Sequence, residues 1–269
     1  MITFLATPIG NLEDITIRTL NVLKISDIIL CEDTRIAKKL ILLLIDKGFL
    51  DIKEYKYIPY HTHNETEFLK NIDKEFFNQN IVFLSDAGMP CISDPGVMLI
   101  RYLQENNINY DVFGGISAST LAVAFSGIVE KEFLFLGFLP HKLQEKTIFL
   151  RKIVNYSYPI VIYESPHRLL ETLEILCEID SSLEIFLAKE LTKKFQATYK
   201  DSVQNIYNML QDSIIKGEWV MVIKPCFREQ NTIGEGEVLL MDIPPKIKAK
   251  ILAKINGKSV KENYDLLCD

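Results

Sequence analysis

The sequence lacks the features that would place it in a membrane, in a disulfide scaffold or among proteins with standard phosphate loops. No apolar run approaches the ~20 residues needed to cross a bilayer. The opening residues, Met-Ile-Thr-Phe-Leu-Ala-Thr-Pro, have no basic flank and too short an apolar stretch for a signal peptide. Five cysteines, Cys31, Cys91, Cys177, Cys226 and Cys268, are scattered without a C-x-x-C pair. An odd, dispersed set reads as free thiols in a reducing, cytoplasmic compartment. The glycines form neither G-x-G-x-x-G nor G-x-x-x-x-G-K-[ST], which excludes both familiar phosphate cradles. An excess of positive charge is also lacking. With 30 Lys and Arg against 36 Asp and Glu the net charge is −6, which argues against a protein held to nucleic acid by bulk charge. Residues 242–269 are the exception: six lysines against four acids make this tail +2 and leave −8 for the rest. A basic tail on an acidic body permits an RNA partner without demanding one, and a solvated helix face explains the lysines equally well.

What is present is globular composition, 48% hydrophobic and 25% charged over 269 residues, enough for one large domain or two ordinary ones. Short apolar runs at Ile2–Ala6, Asp27–Cys31, Tyr57–Tyr60, Ile81–Ser85 and Tyr110–Phe113 predict strands. Helical patterns lie between them, such as 64–77, with Phe68, Leu69, Ile72, Phe76 and Phe77 on one face. This alternation implies an N-terminal α/β domain, residues 1–115, with a mostly parallel sheet covered on both sides. Gly114-Gly115 marks its end. A second α/β domain, 116–226, has strand patterns at Phe133–Gly137, Pro159–Tyr163, Glu184–Ala188, Gln196–Lys200 and Trp219–Ile223. Turns as well as helices separate the later ones, so its sheet should be mixed. Ser165-Pro166 is expected to open a helix. Residues 227–233 read as a polar linker, and 235–269 as a small helical extension broken by Pro244-Pro245 and Gly257.

In open α/β sheets ligands collect beyond the carboxyl ends of the strands. The five loops expected there are "TPIGNLEDIT" (7–16), "CEDTR" (31–35), "HTHNE" (61–65), "SDAGMPCISDPG" (85–96) and "FGGISAS" (113–119). The fourth holds two Gly, two Pro and two Asp in twelve positions, more shape-setting residues than a plain connection needs. Singly, each loop has a bland reading: Gly10 an ordinary turn, Thr34 and Ser165 helix caps, His61 and His63 neighbours on an extended segment. Two histidines alone are too few ligands for a metal site, and none is expected.

Taken together, the five loops with "GFLP" (137–140), "YESPHR" (163–168) and "KELTK" (189–193) resemble the tetrapyrrole methylase superfamily. The resemblance runs from about residue 2 to 226. Within the superfamily it is nearest to the branch that methylates a ribose 2′-oxygen of a decoding-centre cytidine in 16S rRNA. It implies a two-domain fold, S-adenosylmethionine as methyl donor in a cleft between the domains, a homodimer, and 16S rRNA, within the small ribosomal subunit, as partner. A donor without phosphate accords with the missing cradles. By position in the family pattern, donor contacts fall to Pro8, Ala87, Gly88, Met89, Ile92, Ser117 and Ala118, with Asp86 and Tyr163 as further candidates. A ribose hydroxyl needs help losing its proton, for which the candidates are Glu164, Glu190, His167 and Lys193. Arg35 and Arg168 suit phosphate contacts, and His61 and Asn64 suit ribose or base edges. The chain departs from the family pattern at Phe113-Gly114-Gly115-Ile116, where Pro-Gly-Pro is usual, at Lys189 in place of Arg, and at Gln196 in place of Glu. Methylation of a tetrapyrrole or other small molecule, and a non-catalytic RNA-binding assembly factor, stay open as alternatives.

Overall fold

Four-residue apolar runs build the first sheet: β1 (Ile2–Leu5), β2 (Ile28–Cys31), β3 (Lys56–Pro59), β4 (Ile81–Leu84) and β5 (Tyr110–Phe113). In the computed structural model, which describes residues 1–225 and 234–268, these strands are all parallel in the order β3-β2-β4-β1-β5. The three central strands are buried at every position, while the edge strands carry polar and partly exposed residues. Period-two alternation sends Leu5, Ile29 and Val82 into one core and Phe4, Leu30 and Phe83 into another. Helices α1 (Ile17–Ile25) and α2 (Thr34–Asp46) supply Leu23, Ile41 and Leu44 to the first core. Helices α3 (Glu65–Asn71) and α4 (Val97–Glu105) cover the other face through Phe68, Leu99 and Leu103. Each such side chain contributes about 1.5–3 kcal/mol when fully buried.

The register decides where the loops emerge. Leu5 pairs with Leu84 and Phe113, and Cys31 pairs with Leu84, so four strands end level. After β1 the chain turns to one face of the sheet, and after β4 to the other. A crevice therefore opens between two adjacent strands.

The second sheet is mixed: β6 (Leu134–Phe138), β7 (Ile160–Glu164), β8 (Glu184–Lys189), β9 (Ala197–Ser202) and β10 (Trp219–Ile223), ordered β6-β7-β10-β8-β9. Only the β6–β7 pair is parallel. Helices α6 (Leu143–Ile153), α7 (Leu169–Asp180) and α8 (Val203–Leu210) cover one face with Leu150, Leu173 and Ile206. The other face takes α5 (Ala118–Ser126) through Ala122, together with the loop residues Ile9 and Leu191. Both sheets lie in one compact unit, Met1–Cys226; Phe227–Asp269 forms a second. Cys226 and the expected linker 227–233 lie outside the described residues.

Local chemistry corrects several expected boundaries. The helix over 64–77 is two pieces: α3 ends at Asn71, Ile72 is extended, and a 3-10 turn follows at Lys74–Asn78. Asp73 restarts the chain by accepting from the Glu75 N–H, which outcompetes the continuous apolar stripe. Asp33, not Thr34, caps α2, accepting from the Arg35 N–H at 2.8 Å. Helix α7 starts at Leu169, because 166–168 form a turn closed by the Arg168 N–H on the Ser165 carbonyl. The His61–His63 segment is a turn rather than extended, since Asn64 folds back onto the His61 N–H.

The second unit holds α9 (Glu235–Leu240), α10 (Pro245–Asn256) and α11 (Val260–Cys268). Val238, Ala249 and Leu252 are buried, and Asn256 and Asn263 exchange side-chain hydrogen bonds. Lys246, Lys250 and Lys254 are exposed at four-residue spacing along one face of α10. No helix among the described residues is long and apolar enough to cross a membrane.

Candidate active site

The loops after β1 and β4 are tied together at the crevice. Thr7 and Gly88 exchange backbone hydrogen bonds at 2.9 and 3.0 Å, forming an isolated antiparallel bridge. The β5–α5 loop comes against the same place. A Cβ on Gly115 would lie 2.4 Å from the Ala6 Cβ, so only glycine permits this approach. A third contact joins the first loop to the 189–196 loop. A Cβ on Gly10 would meet Lys193 and Thr192, and the Asn11 N–H donates to the Thr192 hydroxyl at 3.1 Å.

Backbone strain gathers in two of these loops. Cys91 and Ser93 (φ 68° and 64°), and Glu190 and Thr192 (φ 50° and 65°), are all left-handed. Such conformations cost ~1–3 kcal/mol each and persist where surrounding bonds over-determine them. At Thr192 the compensation is visible: its N–H donates to Gln196 Oε1 at 2.7 Å while its hydroxyl accepts from Asn11. Gln196 thus closes the loop as an acceptor, a role a Glu side chain would fill equally well.

Together the loops enclose a cavity of about 350 Å³, within the range of small-molecule sites. The 85–96 loop lines one side with Ala87, Gly88, Met89, Ile92, Ser93 and Asp94; Ser117 and Ala118 close another. The second sheet provides Phe138, Tyr163, Glu164, Ala188, Trp219 and Val220, with Ile9 and Leu191 from the loops. The Tyr163 hydroxyl accepts from the Ser119 N–H at 3.2 Å, pinning the start of α5. No Lys, Arg or His lines the cavity among the described residues, whereas three acidic residues, Asp94, Glu164 and Glu218, do. A cation without phosphate fits such a lining better than an anion does.

Of the expected donor contacts, seven reach this cavity: Ala87, Gly88, Met89, Ile92, Ser117, Ala118 and Tyr163. Pro8 and Asp86 do not line it. Asp86 instead accepts from the Asp33 N–H at 3.2 Å, and burial raises its pKa.

The expected proton acceptors are mostly engaged. Glu164 lines the cavity but is buried, its oxygens taken by the Ser165 N–H at 2.8 Å and the Thr172 hydroxyl at 2.7 Å. Glu190 accepts from Lys193 and from the Glu218 N–H. Burial pushes Glu190 up, yet these bonds hold its pKa below the usual value. Burial likewise pushes Lys193 down, but hydrogen bonds to Glu190 and Glu218 keep it raised; it is held charged and is not a neutral base. His167 is exposed in the turn before α7 and does not line the cavity.

The expected RNA contacts have other partners too. Arg168 donates to the carbonyls of Leu139 and Pro140 at 3.1 and 2.7 Å, so it braces the end of β6 and is not a free phosphate fork. Asn64 accepts from the His61 N–H and donates to the Pro59 carbonyl, leaving its amide little freedom to read a base. The Arg35 side chain is 89% exposed and, among the described residues, ion-paired with Asp33 of its own turn, a surface pair that phosphate competes with easily. His61 is half-buried with Nδ1 unpaired.

Several lining residues had no role from sequence. Ile9, Ala188 and Val220 line the cavity only because a strand or loop turns them there, and their apolar character signals core instead. Asp94 was visible within the "DPG" run. Its environment required the fold, since Glu32 and Asp86 come to it from the ends of β2 and β4.

A family model for Tetrapyrrole (Corrin/Porphyrin) Methylases matches residues 1–207. The ribosomal RNA small subunit methyltransferase I of Campylobacter fetus subsp. fetus is 45% identical, covering 99% of each chain. That of Helicobacter pylori strain 26695 is 46% identical over 98% of this chain and 96% of the relative. Among solved structures, diphthine synthase superposes with TM-score 0.61 at 13% identity, over 83% of this chain and 89% of that one. The uroporphyrin-III C-methyl transferase of Thermus thermophilus, complexed with S-adenosylhomocysteine, gives TM-score 0.56 at 11% identity, over 82% and 96%. The last two describe the fold alone.

Proposed function

Because the chain belongs to the tetrapyrrole methylase family, with curated relatives that are small-subunit ribosomal RNA methyltransferases, we propose that it transfers a methyl group from S-adenosylmethionine to a ribose 2′-oxygen of 16S rRNA. The nucleotide is a decoding-region cytidine, the setting the small ribosomal subunit, and the active species a cytoplasmic homodimer whose two α/β domains each contribute one sheet. The observation that carries the reading is the cavity where the loops of both sheets converge: mostly apolar and, among the described residues, lined by three acidic residues and no basic one.

When bound, the donor supplies an electrophilic methyl carbon on a sulfonium. The chain's own residues position it. Backbone groups of Ala87 and Met89 and of Ser117 and Ala118 take its polar ends, Gly88 allows close approach, and Ile92, Phe138 and Val220 exclude water. Strained, doubly tied loops are ordered before binding, which reduces the freedom lost on association. Glu164, Glu190 and Lys193 act as positioning residues, holding the 163–168 and 189–196 loops at the mouth. Arg35 and His61 lie along the ends of β2 and β3, where a single-stranded rRNA segment would approach. The lysine stripe of α10 adds contacts to the RNA backbone.

Undermodified small subunits and a tetrapyrrole precursor, each incubated with methyl-labelled donor, test the assignment. Label is expected in the RNA as a single alkali-resistant ribose. Label in the tetrapyrrole, or in neither, would refute it.

A further inference from the structure

Three acidic residues line the cavity, and their surroundings differ. Glu164 is closed off by the Ser165 N–H, Thr172 and Arg168. Glu218 is exposed and paired with Lys193. Asp94 is half-buried and has no ion-pair partner among the described residues. It is held firmly: left-handed Ser93 precedes it, buried Pro95 follows, and α4 begins two residues beyond.

The groups facing Asp94 come from several elements. Glu32 follows β2, Asp86 follows β4, and Cys91 lies on the same loop as Asp94. Beyond them, Asp33 and His61 act on Glu32, and Asp33 and Arg35 act on Asp86. Among the described residues, the Ser85 hydroxyl favours ionised Asp94. Burial first, then the charges of Glu32 and Asp86, push its carboxyl up to about 7. A proton acceptor works best with a pKa near the operating pH.

We propose that Asp94 is the catalytic residue that takes the ribose 2′-hydroxyl proton, a role that rests on the reading of the cavity as a ribose-methylating site. The ribose oxygen bonds to the methyl carbon as the carbon–sulfur bond breaks, its electron pair going to sulfur to leave a neutral thioether. The hydroxyl proton passes to the Asp94 carboxylate and from there to water. The positive charge of the donor entering the same cavity favours the ionised carboxylate, so the acceptor is readied by donor binding.

Single-turnover methyl transfer to undermodified small subunits, followed across pH, tests this. Wild type is expected to rise about tenfold per pH unit on the acid side and level off above neutrality. Asp94→Asn should be ~100-fold slower and lose that acid limb, while its affinity for S-adenosylhomocysteine, by calorimetry, stays within about threefold of wild type. Glu32→Gln removes a repelling charge and should move the midpoint to lower pH with the rate retained. An Asn variant that keeps the rate and the acid limb would overturn the assignment. So would loss of S-adenosylhomocysteine binding in step with rate, which would make Asp94 a donor-holding group, or an unmoved midpoint in Glu32→Gln. Wild type that binds S-adenosylhomocysteine but labels no RNA would instead refute the ribose-methylating reading, and the acceptor role with it.

Discussion

Gly115→Ala isolates the contact on which the cavity's assembly depends. The added methyl would lie 2.4 Å from the Ala6 Cβ and 3.7 Å from its Cα. Carbon atoms rest at about 3.5–4.0 Å, so more than 1 Å must be recovered. Ala6 is buried at the end of β1 and has no rotamer with which to yield. The 113–116 turn must move instead, carrying Ser117 and Ala118 away from the cavity. Overpacking of this kind costs about 1–3 kcal/mol, or roughly 2–4 °C in Tm per kcal/mol for a chain near this size. Because the movement falls on two lining residues, affinity for S-adenosylhomocysteine should drop about tenfold, a loss of ~1.4 kcal/mol. Denaturant unfolding and calorimetry read the two effects separately. Ala6→Gly alone should cost about 0.5–1 kcal/mol. Combined with Gly115→Ala it removes the clash, giving a favourable coupling of about 1–2 kcal/mol in a double-mutant cycle. Gly115→Ala within about 0.5 kcal/mol of wild type with unchanged affinity, or a double variant no better than the sum of its parts, would refute the reasoning.

The buried Lys146–Glu171 pair should respond asymmetrically, because Lys146 is fully buried and Glu171 is 45% exposed. Glu171→Ala strands a buried ammonium with the Thr172 hydroxyl as its remaining hydrogen-bond partner among the described residues and should cost about 3 kcal/mol or more in denaturant unfolding, whereas Lys146→Met leaves a carboxylate that water can reach and should cost under about 1.5 kcal/mol. At Gln196, the Glu variant keeps an acceptor for the Thr192 N–H and should retain turnover, while Gln196→Ala should lose about 1–2 kcal/mol of stability and slow methyl transfer. Replacing Lys246, Lys250 and Lys254 together by Glu should weaken RNA binding and lower the slope of log K against log salt by about 2, with donor affinity unchanged. Stability should fall as pH rises from the unfolded value of 3.8 toward about 7, because folded Asp94 retains a proton that the unfolded chain has already lost. Discounted for partial solvent exposure, the fall is about 1–2 kcal/mol, and pH-dependent unfolding of Asp94→Asn should lack it.

The sheets were legible in the sequence because buried strands announce themselves as short apolar runs between turn residues. Ile81–Leu84 and Trp219–Ile223 admit little else. Mixed pairing in the second sheet followed from its turn-linked strands. Helix starts were less legible, since caps are decided by which nearby side chain reaches a backbone N–H first: Asp33 preceded Thr34, and Asp73 cut a continuous apolar stripe. Loop residues that reach the cavity, such as Gly88 and Ser117, lie in segments whose composition already set them apart. One wall of the cavity was not legible, because Ala188 and Val220 line it from strands that read as core. Nor were the partners of charged groups. Arg168 on two carbonyls, Lys193 between two carboxylates and Asp94 among acids are consequences of strands meeting across long stretches of chain.

The most direct measurement is a crystal structure of the protein with S-adenosylhomocysteine. Expected is the ligand within the cavity, its polar ends on the backbone of Ala87, Met89, Ser117 and Ala118 and its sulfur turned toward Asp94. An empty cavity at saturating ligand, or ligand bound elsewhere on the molecule, would contradict it.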